Sequence, residues 1–150
     1  MYIITVAGSS AVGKTSIINL YMNQANNTDV KMIESNNRFD FEKSDAVLFV
    51  FDLTSESSLY NIEHLYRVCK SVSRQKCLHW LIGNKNDETR SIEMKKCTQF
   101  ARNKSMYYKE ISTINNNDVC NTLDSIIKKI KADGTRQKRT IPMSDRCISQ

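Results

Sequence analysis

The chain has 150 residues, 40% hydrophobic and 25% charged, with one proline, which suits a single domain with its own core and excludes a disordered or fibrous chain. Its net charge of +6 is uneven: residues 128–150 hold 7 basic and 2 acidic side chains, against 15 and 14 in residues 1–127, so the basicity belongs to the tail and implies no nucleic-acid-binding face. Five cysteines without a C-x-x-C spacing, an opening that reads as a strand rather than a signal peptide, and no apolar run of membrane-spanning length point to a reduced, intracellular chain.

The apolar opening predicts a strand over residues 2–6. Behind it comes GSSAVGKTS: Gly8, Ser9, Ser10, Ala11, Val12, Gly13, Lys14, Thr15 and Ser16. Gly8, Gly13, Lys14 and Thr15 match G-x-x-x-x-G-K-T, the phosphate-binding loop. In that loop successive backbone N–H groups cradle phosphate oxygens. Glycine serves where φ is positive or where a side chain would block the ligand. Lys14 supplies a mobile point charge for the outer phosphates, and the Thr15 hydroxyl suits Mg²⁺. A helix over residues 14–22 would add the positive end of its dipole. The plainer alternative is a strand-turn-helix corner with chance glycines, but two of the chain's four glycines stand at the pattern positions.

Further strands are expected at 30–33, 46–51 (AVLFVF), 77–82 and 106–110, and helices at 58–75, 91–104 and 117–131. Leu59, Ile62, Leu65, Cys69 and Val72 keep helical spacing, as do Val119, Leu123, Ile126, Ile127 and Ile130, with Asn117 or Asp118 as the expected cap. Alternating strands and helices imply right-handed crossovers and a mostly parallel α/β sheet, with ligands beyond the carboxyl ends of its strands. The phosphate loop lies at such an end.

After the strand CLHWLIG comes Asn84-Lys85-Asn86-Asp87. A carboxylate at Asp87 can accept two hydrogen bonds from one planar edge. Guanine offers N1–H and its 2-amino group side by side; adenine has no such pair. Leaving a buried carboxylate unpaired costs about several kcal/mol, so this arrangement selects a base. Lys85 would lay its stem along the base, and Asn84 would tie this loop to the phosphate loop. Alone, N-K-x-D also fits a surface turn with Asp87 as a helix cap.

With both elements in place, the chain resembles the small GTPases of the Ras superfamily, and within them the Rab branch. GSSAVGKTS, VLFVFDLTSESSL and LIGNKND look like that branch's phosphate loop, fourth strand with its turn, and guanine-specificity loop; EIST at 110–113 falls where the family has E-x-S-A-K. The resemblance covers residues 1 to 131 and leaves 132–150 as a flexible basic tail. It implies a P-loop NTPase-type three-layer sandwich, GDP or GTP as ligand, and Mg²⁺. It places Asn84, Lys85, Asp87, Ser112 and the Thr113 amide at the guanine, although Thr113 and Ile114 replace the usual Ala and Lys.

One departure is large. Lys14 and Asn84 are 70 residues apart, where the family needs roughly 100 to hold both nucleotide-sensing switches. Thr28 is the only threonine in residues 23–45, between the first helix and the strand at 46–51, and its flanks do not look like the effector segment that carries the metal-binding Thr. For the second switch the counterpart is Glu34-Ser35-Asn36-Asn37-Arg38, in place of Asp-Thr-Ala-Gly-Gln. Glu34 can reach a metal through water. Asn37 tolerates positive φ, but its side chain obstructs the approach to phosphate. Arg38 cannot orient water as Gln does; it either neutralises phosphate charge or sits solvated. The expectation is a guanine-nucleotide binder with very weak hydrolysis, a blunted switch and no catalytic residue. The sheet would lack the family's edge strand and keep about five strands, with an uncovered edge open to another chain.

The chain ends C-I-S-Q, with Cys147 four from the end, a pattern that fits C-a-a-X lipidation with a farnesyl group. Arg136, Lys138, Arg139 and Arg146 would supply the second membrane signal. A solvated basic tail with an incidental Cys147 is the alternative. His64 and His79 lack ligand-spaced partners; Trp80 and the other cysteines suit packing, and Asp52 belongs to a structural turn. Two functional classes remain: a Rab-like GTP-binding protein of membrane traffic or signalling, and a pseudo-GTPase scaffold or decoy. A small-molecule phosphotransferase is a distant third.

Overall fold

The computed structural model describes residues 1–24 and 29–148, with the backbone alone for 135–148. Thr28, the Cys147 thiol and the four basic side chains of the tail therefore lie outside the described residues. The elements run β1 (Tyr2–Ala7), α1 (Lys14–Gln24), β2 (Val30–Glu34), α2 (Arg38–Glu42), β3 (Ala46–Asp52), α3 (Glu56–Val72), β4 (Leu78–Asn84), α4 (Met94–Asn103), β5 (Tyr107–Glu110) and α5 (Asn116–Ile148). The five strands form one sheet in the order β2-β1-β3-β4-β5, and every pairing is parallel.

Period-two alternation divides the core. On β3, Ala46, Leu48 and Val50 face one side, where Ile17 and Tyr21 of α1 and Leu123, Ile126 and Ile130 of α5 cover them. Val47, Phe49 and Phe51 face the other side, under Phe41 of α2, Leu59 and Ile62 of α3, and Cys97 and Ala101 of α4. Every residue of β3 is buried, as a central parallel strand covered on both faces requires. Phe49 is fully buried, so truncating it to Ala would cost about 3–5 kcal/mol. Trp80 fills core space on the α1/α5 side, its ring centroid 4.8 Å from that of Tyr107.

The sheet is the five-stranded one expected, parallel throughout rather than mostly. One element was not foreseen: α2, a helix of 5 residues. Its first turn is set by Asn37, whose side chain accepts from the Phe39 N–H at 2.9 Å. At the head of α5 the expected cap moves. Asn115, not Asn117 or Asp118, accepts from the Asp118 N–H at 3.1 Å, because Asp118 turns its carboxylate to the Ser112 N–H, also at 3.1 Å. α5 continues past residue 131 to Ile148.

Candidate nucleotide-binding site

The phosphate loop joins β1 to α1. Gly8 has φ 149° and Gly13 has φ 104°, a region favouring glycine at both. Space demands it too: a Cβ on Gly8 would stand 2.3 Å from the Val50 carbonyl oxygen, and one on Gly13 would stand 2.2 Å from Asn84 Nδ2. Ala11 also takes a left-handed conformation, φ 64°. Val12, buried, anchors the loop from behind. The Gly13 carbonyl accepts from the Ile17 N–H at 3.0 Å and opens α1, whose first turn carries no acidic residue to offset the positive helix end. Lys14 folds back over the loop, its Nζ donating to the Gly8 carbonyl at 2.5 Å. On the outside, Asn61 of α3 donates to Ser9 Oγ at 2.7 Å.

Asn84 ends β4 fully buried and joins the two loops. Its Nδ2 donates to the Val12 carbonyl at 2.8 Å, and its Oδ1 accepts from the Lys85 N–H at 2.8 Å. Lys85 has φ 67° and sends its ammonium to Asp52, 2.8 Å away. Burial of Asp52 raises its pKa, but the bonds from Lys85 and Thr54 outweigh this and hold it below the usual carboxylate range; the bond to Asp52 raises the pKa of Lys85. Asp52 also accepts from the Thr54 N–H at 2.8 Å, so the structural turn read from the sequence has a second function as the Lys85 partner. The Ser112 hydroxyl donates to Asp87 Oδ1 at 2.6 Å and aims that carboxylate. Beyond the loop, Arg90 forks onto Glu110, Nη1 to Oε1 at 3.1 Å and Nη2 to Oε2 at 2.9 Å, linking the NKND and EIST segments.

The segment after β2 departs most from expectation. Register sets Val6 opposite Glu34, and the Ser35 N–H continues the ladder to the Val6 carbonyl at 3.1 Å. Glu34 thereby meets α1: Thr15 Oγ1 donates to Glu34 Oε1 at 2.6 Å. Asn36 meets the phosphate loop, its Oδ1 accepting from the Gly8 N–H at 2.9 Å and its Nδ2 donating to the Gly8 carbonyl at 3.0 Å. Asn37, read from the sequence as a candidate for positive φ beside a phosphate, instead has φ −91° and ψ 134° and caps α2. Arg38 becomes the first residue of α2. Nothing in the sequence marks Asn36, since its partner is set by a strand register that local pattern does not encode.

These elements line a cleft of about 510 Å³, within the usual range for small-ligand sites. Ser10, Ala11, Gly13, Lys14, Thr15, Ser16, Glu34, Asn84, Lys85 and Thr113 form its walls. Gly8, Ser9, Val12, Asp87 and Ser112, also expected at the site, do not line this cleft; Asp87 and Ser112 are held to each other by their hydrogen bond. Thr15 and Glu34 present a hydroxyl and a carboxylate side by side. Such hard oxygen donors suit Mg²⁺, which is commonly held by one or two carboxylates together with phosphate oxygens and water. Among the described residues no group of three or more His, Cys, Asp or Glu is placed to hold a metal, and a site of that phosphate-sharing kind needs none.

A parallel sheet with a glycine-bracketed phosphate loop after its first strand, tied to an N-K-x-D loop after its fourth, defines a nucleotide-binding α/β protein. The chain belongs to the Ras family of small GTP-binding proteins, whose sequence profile matches residues 33–132. That match begins beyond the phosphate loop, so the loop stands on its own pattern and geometry. No curated protein matches the chain in sequence.

Proposed function

We propose that the chain binds GDP and GTP in this cleft as a Rab-like protein of membrane traffic or intracellular signalling, with hydrolysis and switching both weakened. The observation that carries the reading is the 2.8 Å bond from Asn84 to the Val12 carbonyl, which fastens an anion cradle to a base-reading carboxylate. Backbone amides of residues 9–14 and the Lys14 ammonium take phosphate oxygens. Asp87, aimed by Ser112, accepts from guanine, and the Thr113 amide meets its carbonyl oxygen. Thr15 and Glu34 would hold Mg²⁺, which when bound neutralises phosphate charge.

Weak hydrolysis is supported by the segment after β2. α2 opens with Arg38, a cation that cannot orient a water by accepting its proton. Asn37 is committed to its cap. The 70-residue separation of Lys14 and Asn84 leaves little chain for a segment that orders around GTP and relaxes after cleavage. Single-turnover GTP cleavage, with and without an activating partner, tests this: turnover at the stimulated rate of an ordinary family member refutes it.

Membrane attachment through Cys147 and the basic tail is part of the same proposal. Among the described residues no helix is long and apolar enough to cross a membrane. Intact mass from eukaryotic cells decides the question, since an unmodified, untrimmed terminus defeats lipidation. A second reading, a scaffold or decoy that engages family partners in any nucleotide state, is favoured by the Asn36–Gly8 contact, which holds the α2 segment with protein atoms alone and leaves Phe39 70% exposed beside it. Equal partner affinity for the GDP and GTP forms selects that reading; a clear difference selects the first.

A further inference from the structure

The Gly8 carbonyl receives two donors: Lys14 Nζ at 2.5 Å and Asn36 Nδ2 at 3.0 Å. The Gly8 N–H is taken by the same Asn36 side chain, at 2.9 Å. One planar amide therefore grips the backbone of Gly8 at donor and acceptor together. Only one orientation of the amide satisfies both ends, since a flip would set N–H against N–H. We propose that Asn36 is a positioning residue for phosphate binding: it fixes the Gly8 carbonyl, and that carbonyl holds the Lys14 ammonium over the loop.

Gly8 lacks a Cβ and sits at φ 149°, so it has little intrinsic restraint on its peptide orientation. Lys14 is a flexible four-carbon chain ending in three donors. With one donor on the Gly8 carbonyl, two remain for phosphate oxygens. If the carbonyl pivots, the ammonium loses its seat and spreads over rotamers, and binding must then restore that order. Asn36 prevents the pivot, and as a neutral side chain it adds no charge that would oppose a phosphate. Aspartate would keep the acceptor for the Gly8 N–H but lose the donor to the carbonyl. Asn36 reaches its place because β2 runs parallel to β1 with Glu34 opposite Val6, so two residues further on Asn36 lies alongside Gly8.

The inference rests on the reading of Lys14 as the reader of outer phosphates. The experiment is calorimetry of the full chain, with Mg²⁺, against GDP and against GMP. The proteins are the parent, Asn36→Ala, Asn36→Ser, Lys14→Ala and the double variant Asn36→Ala/Lys14→Ala, each checked by thermal unfolding. Losing a hydrogen bond of this kind is expected to weaken GDP by about 3- to 10-fold. GMP, which lacks the outer phosphate, is expected to change by less than about 2-fold. Asn36→Ser stays neutral and polar but is too short to bridge both Gly8 groups, so it remains informative where the alanine variant unfolds, and the same selective loss is expected of it. In the Lys14→Ala background the Asn36 effect should vanish.

An Asn36 variant that binds GDP like the parent overturns the proposal. So does an equal loss for GDP and GMP, or a full effect that persists without Lys14; each of these marks Asn36 as a structural staple only. A parent chain that binds no GDP, or whose GDP affinity ignores Lys14→Ala, overturns the nucleotide reading itself and this inference with it.

Discussion

The Thr15 hydroxyl donates to the Glu34 carboxylate across 2.6 Å, joining the first turn of α1 to the last residue of β2. Among the described residues no other acidic side chain lines the cleft beside the phosphate loop. Glu34→Gln keeps an acceptor for Thr15 but removes the charge. The Mg²⁺ concentration that half-maximally slows GDP release is expected to rise on the order of 10-fold. An unchanged Mg²⁺ dependence would remove Glu34 from the site.

Gly13 is the tightest contact between the two loops. Gly13→Ala places a methyl group 2.2 Å from Asn84 Nδ2, at a φ of 104° that alanine resists. The buried Asn84 must then abandon the Val12 carbonyl. Strain and an orphaned buried amide together are expected to destabilise the fold by roughly 2–4 kcal/mol, measured by urea unfolding. A loss below about 0.5 kcal/mol would mean that the loops are not locked together as described.

In the proposed reading, base choice depends on Asp87. Replacing it with Asn leaves an amide that can accept at one atom only, and guanine affinity should fall while ATP remains a poor competitor. Asp87 is exposed in the structure, so the loss of discrimination is expected to be about 1.5–3 kcal/mol, the worth of a hydrogen bond to a charged group rather than the cost of a buried orphaned carboxylate. Ser112→Ala, which removes the 2.6 Å donor to Asp87, should reproduce part of it. Equal competition by GTP and ATP against the unmutated chain ends the guanine assignment.

His79 makes stability depend on pH. Burial, and then the nearby positive charge of Lys70, lower its pKa from 6.5 to about 4. The group is neutral in the folded chain while the unfolded chain takes up a proton below about pH 6.5. The folded state therefore keeps its full advantage above pH 6.5 and loses it as pH falls towards 4. At pH 5 this residue's share of the loss is about 2 kcal/mol relative to pH 7. His79→Leu should remove that share, read as the difference between the two proteins in unfolding free energy at the two pH values. Parallel pH profiles for both proteins would contradict the assignment.

Local pattern made the phosphate loop and N-K-x-D legible, because each is a contiguous run whose residue types are dictated by backbone geometry and ligand shape. The strand-helix alternation was legible for the same reason: Val47, Phe49 and Phe51 alternate with Leu48 and Val50. α2 was missed because five residues hold too few turns to show a helical period, and its start depends on one capping side chain, that of Asn37. The Lys85–Asp52 pair was missed because Asp52 ends β3 while Lys85 follows the end of β4, and the two meet only through the register that sets Asp52 opposite Asn84.

The amino-acid order alone marked the two loops proposed to take phosphate and base, since each is a pattern of residues adjacent in the chain. Only the folded sheet decided what surrounds them. The parallel pairing of β2 on β1 carries Glu34 to Thr15 and Asn36 to Gly8, across 19 and 28 residues of chain. Strand register is a property of the whole buried face rather than of any short segment, and a slip of one residue would turn both side chains to the opposite side of the sheet.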